Sequence, residues 1–414
     1  MRVDTMRRID HLIGVPLCFL LSMLLRIGRR LHRAPTLRPR RVLLIDLSEM
    51  GSAILVDPAM RKLRRHGGAE LFFVIFARNK ASLDLLGTVP QNNIFTIRED
   101  SLWTLSWDTL CFLKWARKRE INSIIDLELF SRFTALLSAL SGASNRVGFY
   151  SFYNEGLYRG NFLTHQVAYN PHMHIAKNFI ALVNALMATE VQVPYSKTII
   201  SDEEIRLQKA PIESEKLDDV ATLIAQRTPL YHRGKSAVVL INPNASEMLV
   251  QRRWPVENYA ELIQLILITY PHALVLITGA PTEQEEAERL KLSVGQERCV
   301  NLAGAIRFSQ LPALYHLSTL MVTNDSGPAH FASITQLPTF VLFGPETPAL
   351  YGALGNTTAI FAGLACSPCV SAANHRKTAC RDNVCLQAIS PAQVFTALTP
   401  VLSAIPSFVH TVQP

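Results

Sequence analysis

The sequence predicts two doubly wound α/β units in tandem, preceded by an apolar, strongly basic helix. Three observations carry this expectation. The chain has 414 residues and 49% hydrophobic content, more than a single domain needs for its core. Short apolar runs rich in Val, Ile, Leu and Phe alternate with helical stretches in two separate series, the mark of parallel strands buried on both faces. The positive charge is confined to one end.

That end comes first. Residues 1–41 hold ten Arg and only two acids, Asp4 and Asp10, so they carry the whole formal net charge of +8. The rest is balanced, which argues against a basic stripe and a nucleic-acid partner. The run LIGVPLCFLLSMLL, Leu12 to Leu25, is flanked by Arg7 and Arg8 on one side and by Arg26, Arg29, Arg30 and Arg33 on the other. It is shorter than the ~20 residues that span a bilayer, and no small-residue cleavage site follows it. Residues 1–41 are therefore expected to lie on an anionic membrane surface. The rivals are a basic tail with a helix packed on the body, and a true span. Removal of residues 1–38 is expected to leave a soluble, folded body.

The first series of strands is RVLLID (41–46), ELFFVIF (70–76), NSIIDLEL (122–129) and NRVGF (145–149), with helices over 54–65 and 105–118. A less ordered stretch (150–172), a helix (175–187) and a polar segment follow, so one domain is expected over 42–210 and the next over 211–414. The second series is SAVVLIN (236–242), ALVLITG (273–279), LMVTND (320–325) and TFVLFGP (339–345).

The motifs fall at the ends of these strands. Asp325 and Ser326 close LMVTND, and PAHFASITQL is expected to continue as a helix with Pro328 in its first turn. Open α/β sheets bind ligands at that edge, and a helix N-terminus attracts phosphate. Gly327 would let a ligand approach the backbone, and Gly344 and Thr347 bring a second loop to the same edge. Helix capping by Asp325 and Ser326, with His330 as a packed side chain, is the structural alternative. Asn242, Pro243 and Asn244 end the first strand of the second unit. Arg252 and Arg253 follow, and guanidinium groups bind phosphate in a bidentate fork. The stretch NLAGAIRFSQLPAL (301–314) offers a loop for a nucleobase. Neither GxxxxGK nor GxGxxG occurs, which disfavours Walker-type hydrolases and hydride-transferring dehydrogenases.

These stretches, together with VLLIDLSEMGSAILVDPAMRKLRR and RRWPVENYAELI, resemble glycosyltransferase family 9, the heptosyltransferase-like enzymes. The resemblance covers nearly everything after residue 41. It implies the GT-B architecture, two Rossmann-like domains facing across a cleft, and metal-independent inverting transfer without a cofactor. By position, Asp325, Ser326, Gly327 and His330 would hold the donor's diphosphate and sugar, with Asn242, Asn244 and Gly344 beside them. Arg252 falls where the family usually has a phosphate-neutralising Lys. The implied donor is a nucleotide sugar of the ADP-heptose type. The implied acceptor is a lipid-linked saccharide such as the lipopolysaccharide core, on the cytoplasmic face of the membrane. After SEMG, where Gly51 stands, the family has a general-base Asp and this chain has Ser52. Serine takes no proton at neutral pH unless activated. Among Asp46, Glu49 and Asp57, Glu49 is the expected substitute. The departure at Ser52 leaves a non-catalytic nucleotide-sugar or glycolipid-binding protein as the alternative.

Cys366, Cys369, Cys380 and Cys385 form C-x2-C-x10-C-x4-C, with His375 between. The spacing is open to structural zinc, a disulfide or free thiols.

Overall fold

In the computed structural model the described residues are 3–28, 38–47, 50–129, 131–153, 157–371, 374 and 376–404. The chain divides into two compact units, residues 1–206 with 371–377, and residues 207–370 with 378–414. The division falls four residues before the expected one at 210.

The first unit opens with α1 (Val3–Leu12) and α2 (Gly14–Gly28), then β1 (Arg41–Ile45), α3 (Met50–Gly67), β2 (Glu70–Phe76), α4 (Lys80–Leu86) and β3 (Ile94–Ile97). It continues with α5 (Leu102–Lys118), β4 (Ser123–Asp126), α6 (Arg132–Leu140), β5 (Asn145–Phe149), β6 (His165–Val167) and α7 (Ile175–Met187). Its strands are all parallel in the order β3-β2-β1-β4-β5-β6. Leu43 and Ile45 of β1 and Phe72 and Val74 of β2 pack against Phe112 of α5 and Leu137 of α6. Each such side chain taken from water is worth about 1.5–3 kcal/mol.

The second unit holds α8 (Ser214–Arg227), β7 (Ala237–Asn242), α9 (Val256–Thr269), β8 (Ala273–Ile277), α10 (Gln284–Val294), β9 (Cys299–Asn301) and α11 (Leu311–His316). After these come β10 (Leu320–Asn324), α12 (Gly327–Ala332), β11 (Thr339–Phe343), α13 (Pro348–Tyr351), β12 (Thr357–Phe361), α14 (Val384–Gln387) and α15 (Pro391–Ser403). Its parallel sheet runs β12-β11-β10-β7-β8-β9. In both units the first and fourth strands lie side by side, so the strand order reverses between them and opens a crevice beyond their carboxyl ends. The expected class of two Rossmann-like units with an apolar N-terminal helix stands.

The N-terminal segment departs from expectation in two ways. Ile13 N donates to Ile9 O and Leu17 N to Ile13 O, so α1 and α2 form one continuous rod. Over Thr5–Arg26 it is long and apolar enough to cross a membrane, because Met6 and Ile9 extend it beyond the apolar core of the sequence. It also docks on the first unit. Asp10 Oδ1 accepts from Arg132 N (2.8 Å) and Phe133 N (3.0 Å), capping α6, and Oδ2 pairs with Arg132 Nη1 at 3.0 Å. One turn on, a Cβ at Gly14 would stand 2.9 Å from Arg132 Cβ. Cys18 is buried against Ala135 and Phe162, and the Ser22 hydroxyl accepts from Asn161 N at 2.9 Å. Small residues at spacing 4 thus let the rod lie close on α6.

Candidate functional site

The crevice of the second unit gathers most of the residues singled out in the sequence. Asn324 ends β10 fully buried. Its amide donates to Pro243 O (2.7 Å), and its Oδ1 accepts from Trp254 N (3.1 Å) and the Tyr259 hydroxyl (3.0 Å). Burial raises the Tyr259 pKa well above its ordinary value, so that hydroxyl is a fixed donor. One side chain therefore ties the loops after β7 and β10 to the start of α9. The sequence reading passed over Asn324, although the Asn-Asp pair at a strand end was its signal.

Held by this frame, Arg252 reaches over the strand ends. Its Nη1 donates to Asp325 O at 3.3 Å, its Nε lies 3.9 Å from Asp325 Oδ2, and its Nη2 lies 3.7 Å from Glu346 Oε1. All three side chains are nearly buried, and Arg252 Nε makes no hydrogen bond among the described residues. A guanidinium between two carboxylates at separations near 4 Å is oriented by them without a close hydrogen bond to either. Glu346 was also missed; it lies within the FGPETP turn where only Gly344 and Thr347 drew notice.

Other residues at this edge brace it. Asn242 donates to Thr278 O and Thr278 Oγ1, both at 3.2 Å, while its Oδ1 is buried without a hydrogen bond. Asn244 lies against the same loop, 3.5 Å from Thr278 O, and Arg253 holds Ala245 O at 3.0 Å. Gly304 N donates to Gly279 O (2.9 Å), so the loop offered for a nucleobase adjoins the Gly turn after β8.

Several expectations need correction here. The helix after β10 ends at Ala332, six residues in, because Thr335 and Ser333 turn their hydroxyls onto Ala332 O and His330 O. Its dipole is correspondingly small. Ser326 does not cap it; its hydroxyl donates back to Asn324 O at 3.2 Å. A Cβ at Gly327 would meet the Phe331 ring at 3.1 Å, and one at Gly344 would meet Leu386 at 2.7 Å. Both glycines thus make room for packing within the protein. His330 is buried in α12.

In the first unit, Asp46 follows β1 at the strand reversal. Ser52, in the first turn of α3 beside buried Gly51, donates to Asp46 Oδ2 at 2.5 Å. Glu49, the expected base, lies outside the described residues. Asp57 is on the inner side of α3, paired with Arg61 Nε (2.5 Å) and Thr88 Oγ1, which commits it to structure. A cavity of about 500 Å³ opens beyond β4 and β5. Phe19, Met23 and Arg26 of α2 wall it on one side, and Tyr150, Tyr158 and the Asp126–Arg159 ion pair on the other.

The clustered cysteines form no disulfide. Cys369 Sγ lies 3.3 Å from Thr378 Oγ1, the Cys380 thiol donates to Asp382 Oδ1, and burial raises the pKa of Cys385. Among the described residues no group of His, Cys, Asp or Glu is arranged to hold a metal. His375 lies outside them.

Comparison with known proteins gives a consistent picture. Residues 119–379 match the profile of glycosyltransferase family 9 (heptosyltransferase). Lipooligosaccharide heptosyltransferase 2 of Haemophilus influenzae is 33% identical over 118 residues, 28% of this chain and 33% of that protein. Lipopolysaccharide heptosyltransferase 2 of Escherichia coli K12 is 35% identical over 101 residues, 23% and 28% of the two chains. The matched stretch thus spans about a third of the length of these curated relatives. Among solved structures, the E. coli ADP-heptose lipopolysaccharide heptosyltransferase II superposes with a TM-score of 0.67 at 19% identity, covering 88% of this chain and 98% of that one. A family 9 glycosyltransferase from Veillonella parvula gives 0.65 at 18% identity, covering 89% and 99%. At these identities the likeness establishes the fold.

Proposed function

Because the chain belongs to glycosyltransferase family 9, we propose that it is an inverting, metal-independent glycosyltransferase that moves a heptose-class sugar from an ADP-sugar donor to a lipid-linked saccharide of the lipopolysaccharide core type. The observation that carries this reading is Arg252, held between Asp325 and Glu346 at the strand reversal of the second sheet without a close ion pair to either, so that a diphosphate can recruit its guanidinium. The donor lies along that edge, its diphosphate on Arg252 and its sugar toward Asp325, Ser326 and His330. Gly327, Gly344, Asn242 and Asn244 shape and brace the same edge.

The acceptor belongs to the first unit, in the cavity beyond β4 and β5. Tyrosine faces suit sugar rings and Arg26 suits an acidic group, while Phe19 and Met23 suit a lipid. In this reading the base is Asp46, which accepts from Ser52 and stands one hydroxyl from the position where the family carries its Asp. Glu49 remains its competitor for the role. The protein works at the cytoplasmic surface of an anionic membrane, which α1–α2 contacts.

The second reading, a non-catalytic nucleotide-sugar or glycolipid-binding protein, draws on the serine at position 52. Purified full-length protein with ADP-heptose and a lipid-linked acceptor should give an acceptor heavier by one heptose residue, unaffected by EDTA. Saturable donor binding with no product under any nucleotide sugar would favour the second reading. Absence of both would overturn the first.

A further inference from the structure

We propose that α1–α2, α5 and the end of α6 form one membrane-contacting face, with Trp103 and Trp107 as a second anchor, and that α1–α2 lies along the bilayer surface instead of crossing it. This rests on the membrane reading above and is independent of the transfer chemistry.

The outer side of α5 is the first observation. Trp103 is 87% exposed and Trp107 is 64% exposed, with Leu110 beyond them. Their spacing of four and three residues puts all three on one side of the helix. The same side continues through Lys114, Arg117 and Lys118, all exposed. The helix is well formed, with a Ser101–Thr104 capping box, so these indoles are presented by a rigid element. The other two tryptophans face the core: Trp254 is 2% exposed, and the half-buried Trp115 packs on Phe72, Phe95 and Phe112. Indoles beside cationic side chains are the composition of a membrane–water interface.

Continuity is the second. Met6 of α1, Leu105 and Leu113 of α5 and Phe133 of α6 pack on the same core cluster, so the three elements form one layer over one face of the sheet. Nearly half of all large exposed apolar side chains in the described chain belong to this layer, among them Leu17, Phe19, Leu20 and Leu24 of α2 and Leu140 at the end of α6. An apolar surface this concentrated marks an interaction site. The charge around it selects the occupant. Arg8 and Arg26 are exposed on the rod, the cations of α5 continue the patch, and the one acid within α5, Asp108, is buried against Arg98. Anionic headgroups meet that pattern.

The docked rod supplies the orientation. The polar and small side of α1–α2, formed by Asp10, Gly14, Cys18 and Ser22, is occupied by α6 and the 159–163 loop. A crossing helix would have to leave that seat, break the Asp10–Arg132 pair and carry Asp10 into hydrocarbon.

The test uses full-length protein bound to phosphatidylglycerol-containing vesicles with brominated acyl chains. With two of four tryptophans at the interface, emission should fall by about twofold relative to unbrominated lipid. The W103F/W107F double variant should stay vesicle-bound and lose the quenching, and W103E/W107E should weaken vesicle flotation about tenfold or more. In the T5C variant, the peptide carrying position 5, resolved by mass from those carrying the native cysteines, should be labelled by a membrane-impermeant maleimide added outside sealed vesicles. Flotation without quenching would remove α5 from the membrane face, and protection of the Thr5 thiol until detergent is added would mean a crossing helix. No flotation at all would overturn the membrane reading itself. A concentration-dependent blue shift without lipid would give the face to a second copy of the chain.

Discussion

Asp10→Ala tests whether the N-terminal rod is a structural part of the first unit. The carboxylate caps two N–H groups of α6 and neutralises Arg132, whose side chain is 6% exposed and whose Nε is already without a hydrogen bond. Loss of a cap costs about 1 kcal/mol, and a buried guanidinium left without its partner costs about 3–5 kcal/mol. The two overlap, so about 3–5 kcal/mol is expected for the substitution as a whole. For a unit of this size each kcal/mol shifts Tm by about 2–4 °C, which predicts a fall of roughly 6–20 °C. Asp10→Asn keeps one acceptor oxygen and loses the charge. It should cost less than Asp10→Ala, because the amide oxygen still accepts part of the cap and of the guanidinium, though Arg132 loses its counter-charge in both variants. Thermal unfolding of full-length protein in detergent, followed by tryptophan emission, reads both. An unchanged Tm in Asp10→Ala, or equal losses in the two variants, would refute the reasoning. The same clamp predicts that deletion of residues 1–38 lowers the stability of the folded body that remains.

Arg252→Ala should raise the KM for donor tenfold or more, read by titration of donor at fixed acceptor, and should also lower Tm, because it leaves Asp325 and Glu346 buried without that cation. Asp46→Asn should lower kcat by ~10²–10⁴ with donor affinity kept, as for removal of a general base; an unchanged kcat beside an inactive Glu49→Gln would move the base to Glu49. His165, buried on β6, has its pKa lowered by burial. The folded state therefore disfavours the charged ring, and stability falls as pH drops through the unfolded value of ~6.5. His165→Gln should flatten that loss, as read by urea midpoints at several pH values.

The central strands were legible because they are apolar on both faces: the strands over 41–45, 70–76, 237–242, 273–277, 320–324 and 339–343 lie within the runs read from sequence. The strands β3, β6, β9 and β12 were missed, β6 (His165–Val167) falling inside the stretch read as less ordered. They are three to five residues long and lie at sheet edges, too short for a run of apolar residues to stand out. At the site, Asp325 and Arg252 were found because strand ends and paired arginines are local signals. Asp10 gave no such signal, since its partners lie 122 and 123 residues away. Gly327 and Gly344 were read as space for a ligand, but that space is filled by the ring of Phe331, one turn on in the same helix, and by Leu386 of α14, more than forty residues away in sequence. The bond of Ser52 to Asp46 could not be read from spacing alone, because it depends on how α3 turns away from β1.

The distance in sequence between Asp10 and α6 also orders events during synthesis. At about 5–20 residues per second, the stretch between them takes roughly 6–24 s to make. Through that interval the apolar rod has left the ribosome while its seat does not yet exist, and a lipid surface is the available place to bury it. On the proposed membrane reading, the domain then closes onto a helix already at the membrane, and the nascent chain would reach its working surface before it can fold.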